Sequence, residues 1–416
     1  MKKLFILGAM VLSSTTAFGL SSVNSQIAEE RDYYQFQKMI LEGEKKSSFI
    51  GIIDQDQKLY VDALEDALEE MPTNKNVKAS LQILNPFFYD LADQLRVAVL
   101  KIKHNIHTSI PADLVEMIKV ELLSDEPDRR LIYLLAAYQD IINLAGHTDL
   151  IEEAKKHKIF YDIEAEDNDN EETIEPAEVY TDLFYGTPDI TTYMNGEYIN
   201  SVKVVMFCRL NRLYPCLMTL KDVNGQIVRN ADGTLWTHPA LASSARGLPS
   251  YVRNGNTPAG VYTIDSVMPT ADQQISFGKN RRMILNFIPA SQDESLHKAL
   301  LPMSSTVSHW WRSGIVARDI GRNLLRIHGT GKINKDATTP YFPFMRTSGC
   351  VAQRENTYSG VRYNDQRVLL DQIMTAMELA PNYSNEVKVK GIFYLIELND
   401  KNAAVTNEDL LALGIN

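Results

Sequence analysis

The chain has 416 residues, of which 44% are hydrophobic and 23% charged, and a formal net charge of −11. Its length exceeds one typical domain and its composition is that of a globular protein. The acidic balance argues against nucleic acid and anionic membrane surfaces as partners.

The first residues are Met1-Lys2-Lys3, an apolar run over 4–12, and small residues up to Ala17-Phe18-Gly19. A basic start, a short apolar core and a small-residue site predict a signal peptide over 1–19, cleaved near Gly19. The run is too short to span a bilayer comfortably, and no cysteine follows it for a lipid anchor. A retained anchor is the alternative. Export would place the protein in the periplasm or cell envelope, an oxidising compartment.

Residues 25–160 read as a helical domain. Asn85-Pro86 is a cap followed by proline at the first helical position, and Phe88, Leu91, Leu95, Val99, Ile102 and Ile106 recur at helical spacing. Pro111 opens a second helix through Leu123. Pro127 opens a third, with Leu131, Leu134, Leu135, Tyr138, Ile142 and Ala145 on one side and Gly146 as its stop. Short links between amphipathic helices predict a bundle or hairpin array. His104 and His107 lie one turn apart, but no third ligand cluster accompanies them, so they read as a solvated pair and no metal site is expected. No zinc-protease, P-loop or dinucleotide motif appears in context. Residues 164–178, EAEDNDNEETIEPAE, cannot bury an apolar face and predict an acidic linker within 161–185.

Beyond the linker, residues 200–400 read as a mainly-β unit. Strands are predicted at 203–210, 214–221, 227–229, 257–266, 283–287, 324–328 and 387–398, with a helix at 366–377. Asn224-Gly225 and Asp232-Gly233 mark hairpin turns. Residues 401–416 read as a tail with a short helix. The fold class expected is α+β and multidomain, helical first and mainly β after.

The cysteines are Cys208, Cys216 and Cys350. An odd count in an oxidising compartment suggests one pair and one thiol. A hairpin centred on Arg212 would set Cys208 opposite Cys216; two buried thiols are the alternative. Cys350 is then the remaining thiol. It follows Ser348-Gly349 in the stretch 326–354, RIHGTGKINKDATTPYFPFMRTSGCVAQR, which also carries His328. A cysteine on a Ser-Gly turn with a histidine upstream is a candidate nucleophile and base. Thiolate is the reactive form, and an imidazolium beside it would stabilise the anion. Backbone N–H groups around Ser348, Gly349 and Cys350 suit an oxyanion. The residues alone allow a cysteine acyltransferase or hydrolase; a buried cysteine and a satisfied histidine are the bland alternative.

His328-Gly329-Thr330, a loop, then Thr347-Ser348-Gly349-Cys350-Val351 resembles the signature of bacterial L,D-transpeptidases. Thr257-Pro258-Ala259-Gly260-Val261-Tyr262 resembles that family's Thr-Pro-x-Gly strand. The resemblance covers about half the chain. It implies a mainly-β sandwich, Cys350 as nucleophile and His328 as base. It also implies an acyl donor cut after meso-diaminopimelate in a peptidoglycan stem tetrapeptide, and no cofactor. Two positions depart from the family: Ser348 stands where it usually has histidine, and Ala352 where it usually has arginine or asparagine. Arg354 and Thr330 are the candidate substrate contacts. The expected reaction is transpeptidation, with L,D-carboxypeptidase trimming or an inactive wall-binding scaffold as alternatives. The helical region is a candidate docking site for a protein partner. Trp310-Trp311 and Tyr341-Phe342 read equally as a glycan or peptide groove and as ordinary core.

Overall fold

The computed structural model describes residues 57–70, 74–84, 90–104, 110–160, 201–268, 277–288, 297–298, 300–301, 310–319, 321–322 and 324–415. The expected signal peptide, the acidic linker, the Asn85-Pro86 cap and His107 lie outside the described residues.

The helical part contains α1 (Gln57–Glu70), α2 (Lys75–Ile83), α3 (Leu91–Lys103), α4 (Ala112–Leu122), α5 (Arg129–Ala137), α6 (Gln139–Leu144) and α7 (Thr148–Ala154). Local chemistry sets the starts. Asp90 accepts the Ala92 N–H at 2.9 Å and ion-pairs with Arg130 at 2.5 Å, and Asn74 caps α2 in the same way. The long helix expected from Pro127 to Gly146 is interrupted at Tyr138 (φ −113°), so two helices stand there. The Tyr138 hydroxyl points inward to Glu65 Oε1, 3.5 Å away. Gly146, at φ +88°, ends α6 as expected, with the His147 N–H bonded back to the Ile142 carbonyl. His104, expected in solvent, instead has its Nε2 buried, and that burial lowers its pKa to about 4.

The β part is one eight-stranded sheet in the order β3-β2-β1-β10-β4-β5-β6-β7. Its strands are β1 (Val202–Cys208), β2 (Cys216–Lys221), β3 (His238–Ala240), β4 (Gly260–Val267), β5 (Met283–Phe287), β6 (Leu325–His328), β7 (Val351–Ala352) and β10 (Lys390–Glu397), with a small ribbon of β8 (Thr357–Tyr358) and β9 (Val361–Arg362) apart. β1 and β10 run parallel at the centre, where near-continuous apolar runs fit burial of both faces. One face of β1 (Val204, Met206) packs with Leu369, Leu370 and Ile373 of α9 (Asp365–Ala376). The other (Val205, Phe207) packs with Trp311, next to α8 (Arg312–Asp319), and with Leu410 of α10 (Asn407–Ala412). Each such buried side chain contributes roughly 1.5–3 kcal/mol.

The resemblance implied a sandwich of two sheets; the structure has one sheet that nearly closes on itself. Just past β3, Leu241 exchanges both backbone hydrogen bonds with Ala352 of β7, so the two edges meet. The tail beyond residue 401 is also part of the core: Leu410 and Ile415 are fully buried, and Asp409 pairs with buried Arg209. Helical and β parts share packing, because Leu248, Tyr251 and Val252 join the α3–α7 cluster. Among the described residues no helix is long and apolar enough to cross a membrane.

The β1–β2 register pairs Phe207 with Leu217, so the next positions, Cys208 and Cys216, face each other. They are joined by a disulfide with Cα atoms 4.4 Å apart.

Candidate active site

The seam between β6 and β7 carries the chemistry. β6 pairs parallel with β7, Ile327 beside Val351 and His328 beside Ala352. Side chains alternate along strands, so Ile327 and Val351 enter the core while His328 and Ala352 share the opposite face. Cys350 directly precedes β7, two residues before the Ala352 that pairs with His328. Both residues are shielded: Cys350 is 9% exposed and His328 3%.

His328 Nδ1 lies 2.6 Å from the Gly329 carbonyl. A carbonyl only accepts, so Nδ1 carries the proton and Nε2 presents a lone pair. Burial, only partly offset by that hydrogen bond, lowers the histidine pKa to about 3, with Arg282, Arg326 and Lys332 adding to the fall. The ring is neutral at neutral pH, so the imidazolium partner expected from the sequence is not the resting form. Phe277 meets the imidazole edge-on at 5.6 Å, and Arg282 stacks over Phe277. Glu355 supports the same loop by accepting from the Lys279 N–H (2.6 Å) and Asn280 Nδ2 (2.8 Å). A Cβ on Gly329 would overlap that carboxylate, so Glu355 would have to move to admit one.

No family model, curated protein or solved structure matches this chain. The functional reading therefore rests on the residues and their geometry.

Gly349 makes the turn before the thiol. Its φ is +102°, and a Cβ there would meet the Gly255 carbonyl and lie 2.5 Å from Arg322 Nη2. Its carbonyl accepts from Thr257 Oγ1 at 2.9 Å and from Arg322 Nη2 at 3.2 Å. Thr257, of the Thr-Pro-x-Gly strand, thus touches the nucleophile turn across 92 residues of sequence. Thr347 Oγ1 donates to the Cys350 carbonyl at 2.6 Å. Ser348 is half-buried within the turn, and Cys350 stays outside the disulfide.

The two expected substrate contacts are engaged within the protein. Arg354 Nε donates to Asp365 at 2.5 Å, and its guanidinium lies over the rings of Tyr363 (4.2 Å) and Phe344 (5.1 Å). Thr330 Oγ1 accepts the Lys332 N–H at 3.1 Å, and its carbonyl accepts from Asn356. Ala352 is buried with Leu241 and Phe344. Trp311 is core, stacked on His297 at 5.6 Å, and Trp310 packs beside the same cluster. Tyr341 and Phe342 are half-buried on the loop between His328 and Cys350, where Phe342 meets Tyr358 edge-on at 5.4 Å.

Sequence reasoning did not single out Arg322, Glu355 or Glu65. One local signal existed for Arg322. Gly321, at φ +90°, follows α8, and the Arg322 N–H bonds back to the Ala317 carbonyl at 2.9 Å, a glycine-terminated helix end. Nothing local showed that the guanidinium would then reach Gly349.

Proposed function

We propose that this chain is an exported peptidoglycan L,D-transpeptidase: an α+β, multidomain protein whose mainly-β part resembles that family's catalytic domain. The observation that carries the reading is the neutral His328, with its Nε2 lone pair free, on the strand beside the one that Cys350 leads into through a glycine turn that has no room for a Cβ. The Cys350 sulfur attacks the carbonyl of meso-diaminopimelate in a stem tetrapeptide as its proton passes to His328 Nε2. The carbonyl becomes an oxyanion facing main-chain N–H groups of the Ser348–Cys350 turn. Collapse breaks the C–N bond, Nε2–H protonates the leaving D-alanine nitrogen, and a thioester remains. An amine of a second stem peptide then attacks, gives its proton to His328, and regenerates the thiol.

Hydrolysis of the thioester, an L,D-carboxypeptidase outcome, is the second reading. It is favoured by the shielding of Cys350 and His328, which a small acceptor such as water meets more easily than a peptide does. The experiment is incubation of the purified protein with disaccharide-tetrapeptide, followed by mass spectrometry. Cross-linked 3→3 dimer supports transpeptidation, and tripeptide without dimer supports trimming. Cys350→Ala should abolish either product with the fold intact, and His328→Ala should slow turnover on the order of 10²-fold or more. Turnover by Cys350→Ala would remove the mechanism.

A further inference from the structure

The nucleophile turn rests on a buried cation. Arg322 is 4% exposed, and its guanidinium donates to main-chain carbonyls: Ser250, Asn256 (2.6 Å), Gly255 (2.8 Å) and Gly349 (3.2 Å). Among the described residues the titratable groups that act on it are Tyr262, Cys350 and Arg253, with no carboxylate among them. A guanidinium in such a place is costly unless negative charge meets it. The residue after Gly349 is Cys350, whose sulfur gives up its proton in the reaction proposed above.

We propose that Arg322, not an imidazolium, is the positive charge that favours the Cys350 thiolate, and that with Thr257 it locks the Gly349–Cys350 peptide in the orientation the oxyanion needs. This rests on Cys350 being the nucleophile. Three observations support it. His328 is buried and neutral, so it supplies no positive charge at rest. Burial brings Arg322 down only to about 10, so it keeps its proton at neutral pH, and Cys350 is among the groups that favour its charge. Geometry gives the third. Two donors on one carbonyl fix the plane of its peptide unit. In a trans peptide the N–H points opposite the C=O, so the Cys350 N–H faces away from Arg322. Hydrogen bonds on the carbonyl also polarise that N–H as a donor. Arg322 is thus a positioning residue. It lowers the proton affinity of the sulfur, which eases transfer of the thiol proton to His328 Nε2, and it fixes the direction of one oxyanion donor.

The test is the rate of Cys350 alkylation by iodoacetamide across pH on the full chain, which needs no substrate. The wild-type midpoint should lie below the value of about 8.5 for free cysteine. Arg322→Met should raise it by about one unit, which is about tenfold slower alkylation at pH 7, and Arg322→Lys should raise it less. His328→Ala should leave the midpoint in place. Thr257→Val keeps the charge and should lower kcat by about tenfold without moving the midpoint. A wild-type midpoint at or above that of free cysteine would overturn the proposal even if Arg322→Met failed to fold. So would a folded Arg322→Met with the wild-type profile, or a midpoint that follows His328 alone. A kcat unchanged in Thr257→Val would remove the peptide lock. An enzyme inert on tetrapeptide, with a low midpoint dependent on Arg322, would sink the function and leave this charge assignment standing.

Discussion

Replacing Glu65 should destabilise the fold strongly. It lies on α1, fully buried, with Arg96 Nη2 at 2.6 Å, Arg253 Nε at 3.3 Å and Arg246 Nη1 at 3.7 Å. Arg96 belongs to the helical part, whereas Arg246 and Arg253 flank the loop over 246–253 in the β part. That loop precedes Gly255 and Asn256, whose carbonyls hold Arg322. Glu65→Gln preserves shape and removes the carboxylate that these three guanidinium groups share, while Arg96 keeps Asp93 at 2.9 Å. Removing one partner of a buried pair costs about 3–5 kcal/mol. For a unit of this size that corresponds to a Tm lower by roughly 10 °C. Calorimetry and urea titration read it directly. A loss under about 1 kcal/mol, the range of an exposed pair, would refute the claim that these charges are mutually dependent. A double replacement, Glu65→Leu with Arg96→Met, should recover part of the loss, because a well-packed apolar pair avoids desolvating the ions.

Acid should destabilise the protein before its carboxylates titrate. Burial lowers the pKa of His104 to about 4 and of His297 and His328 to about 3, and lowers that of His238 as well. The unfolded chain takes up these protons near pH 6.5 while the folded chain does not, so stability is full above pH 6.5 and falls as the pH drops towards 3–4. A Tm flat between pH 7.5 and 5 would contradict this. The acid limb of kcat/KM should likewise lie below the ordinary histidine value, since His328 stays neutral there. Denatured, non-reduced protein should show one titratable thiol, and replacing Cys208 and Cys216 by Ser should cost roughly 2.5 kcal/mol, as expected for so short a loop; three thiols would rule the bridge out. Gly349→Ala should lower kcat by on the order of 10² or more, because the turn must move to admit a Cβ and the oxyanion donor moves with it. A near-normal kcat would show that the turn does not set that donor.

Some of this was present in the residues themselves. Cys350 on its Ser-Gly turn, His328 at a strand end and the hairpin about Arg212 are local patterns, legible because period, turn chemistry and spacing act over a few residues. The helix starts at Pro111 and Pro127 and the stop at Gly146 are of the same kind. What the tertiary structure decided concerns groups far apart in sequence. Closure of the sheet through Leu241 and Ala352, rather than a sandwich, depends on how strand twist accumulates over eight strands. Arg322 reaches Gly349 across 27 residues, and Arg246 reaches the Glu65 carbonyl across 181, with no periodic signal to mark either. The acid resistance of His328 was also beyond sequence, because only burial in the folded chain keeps an imidazole neutral far below its ordinary pKa. Sequence fixes which groups can do chemistry. Burial and long-range packing decide which of them carry charge, and which only hold the others in place.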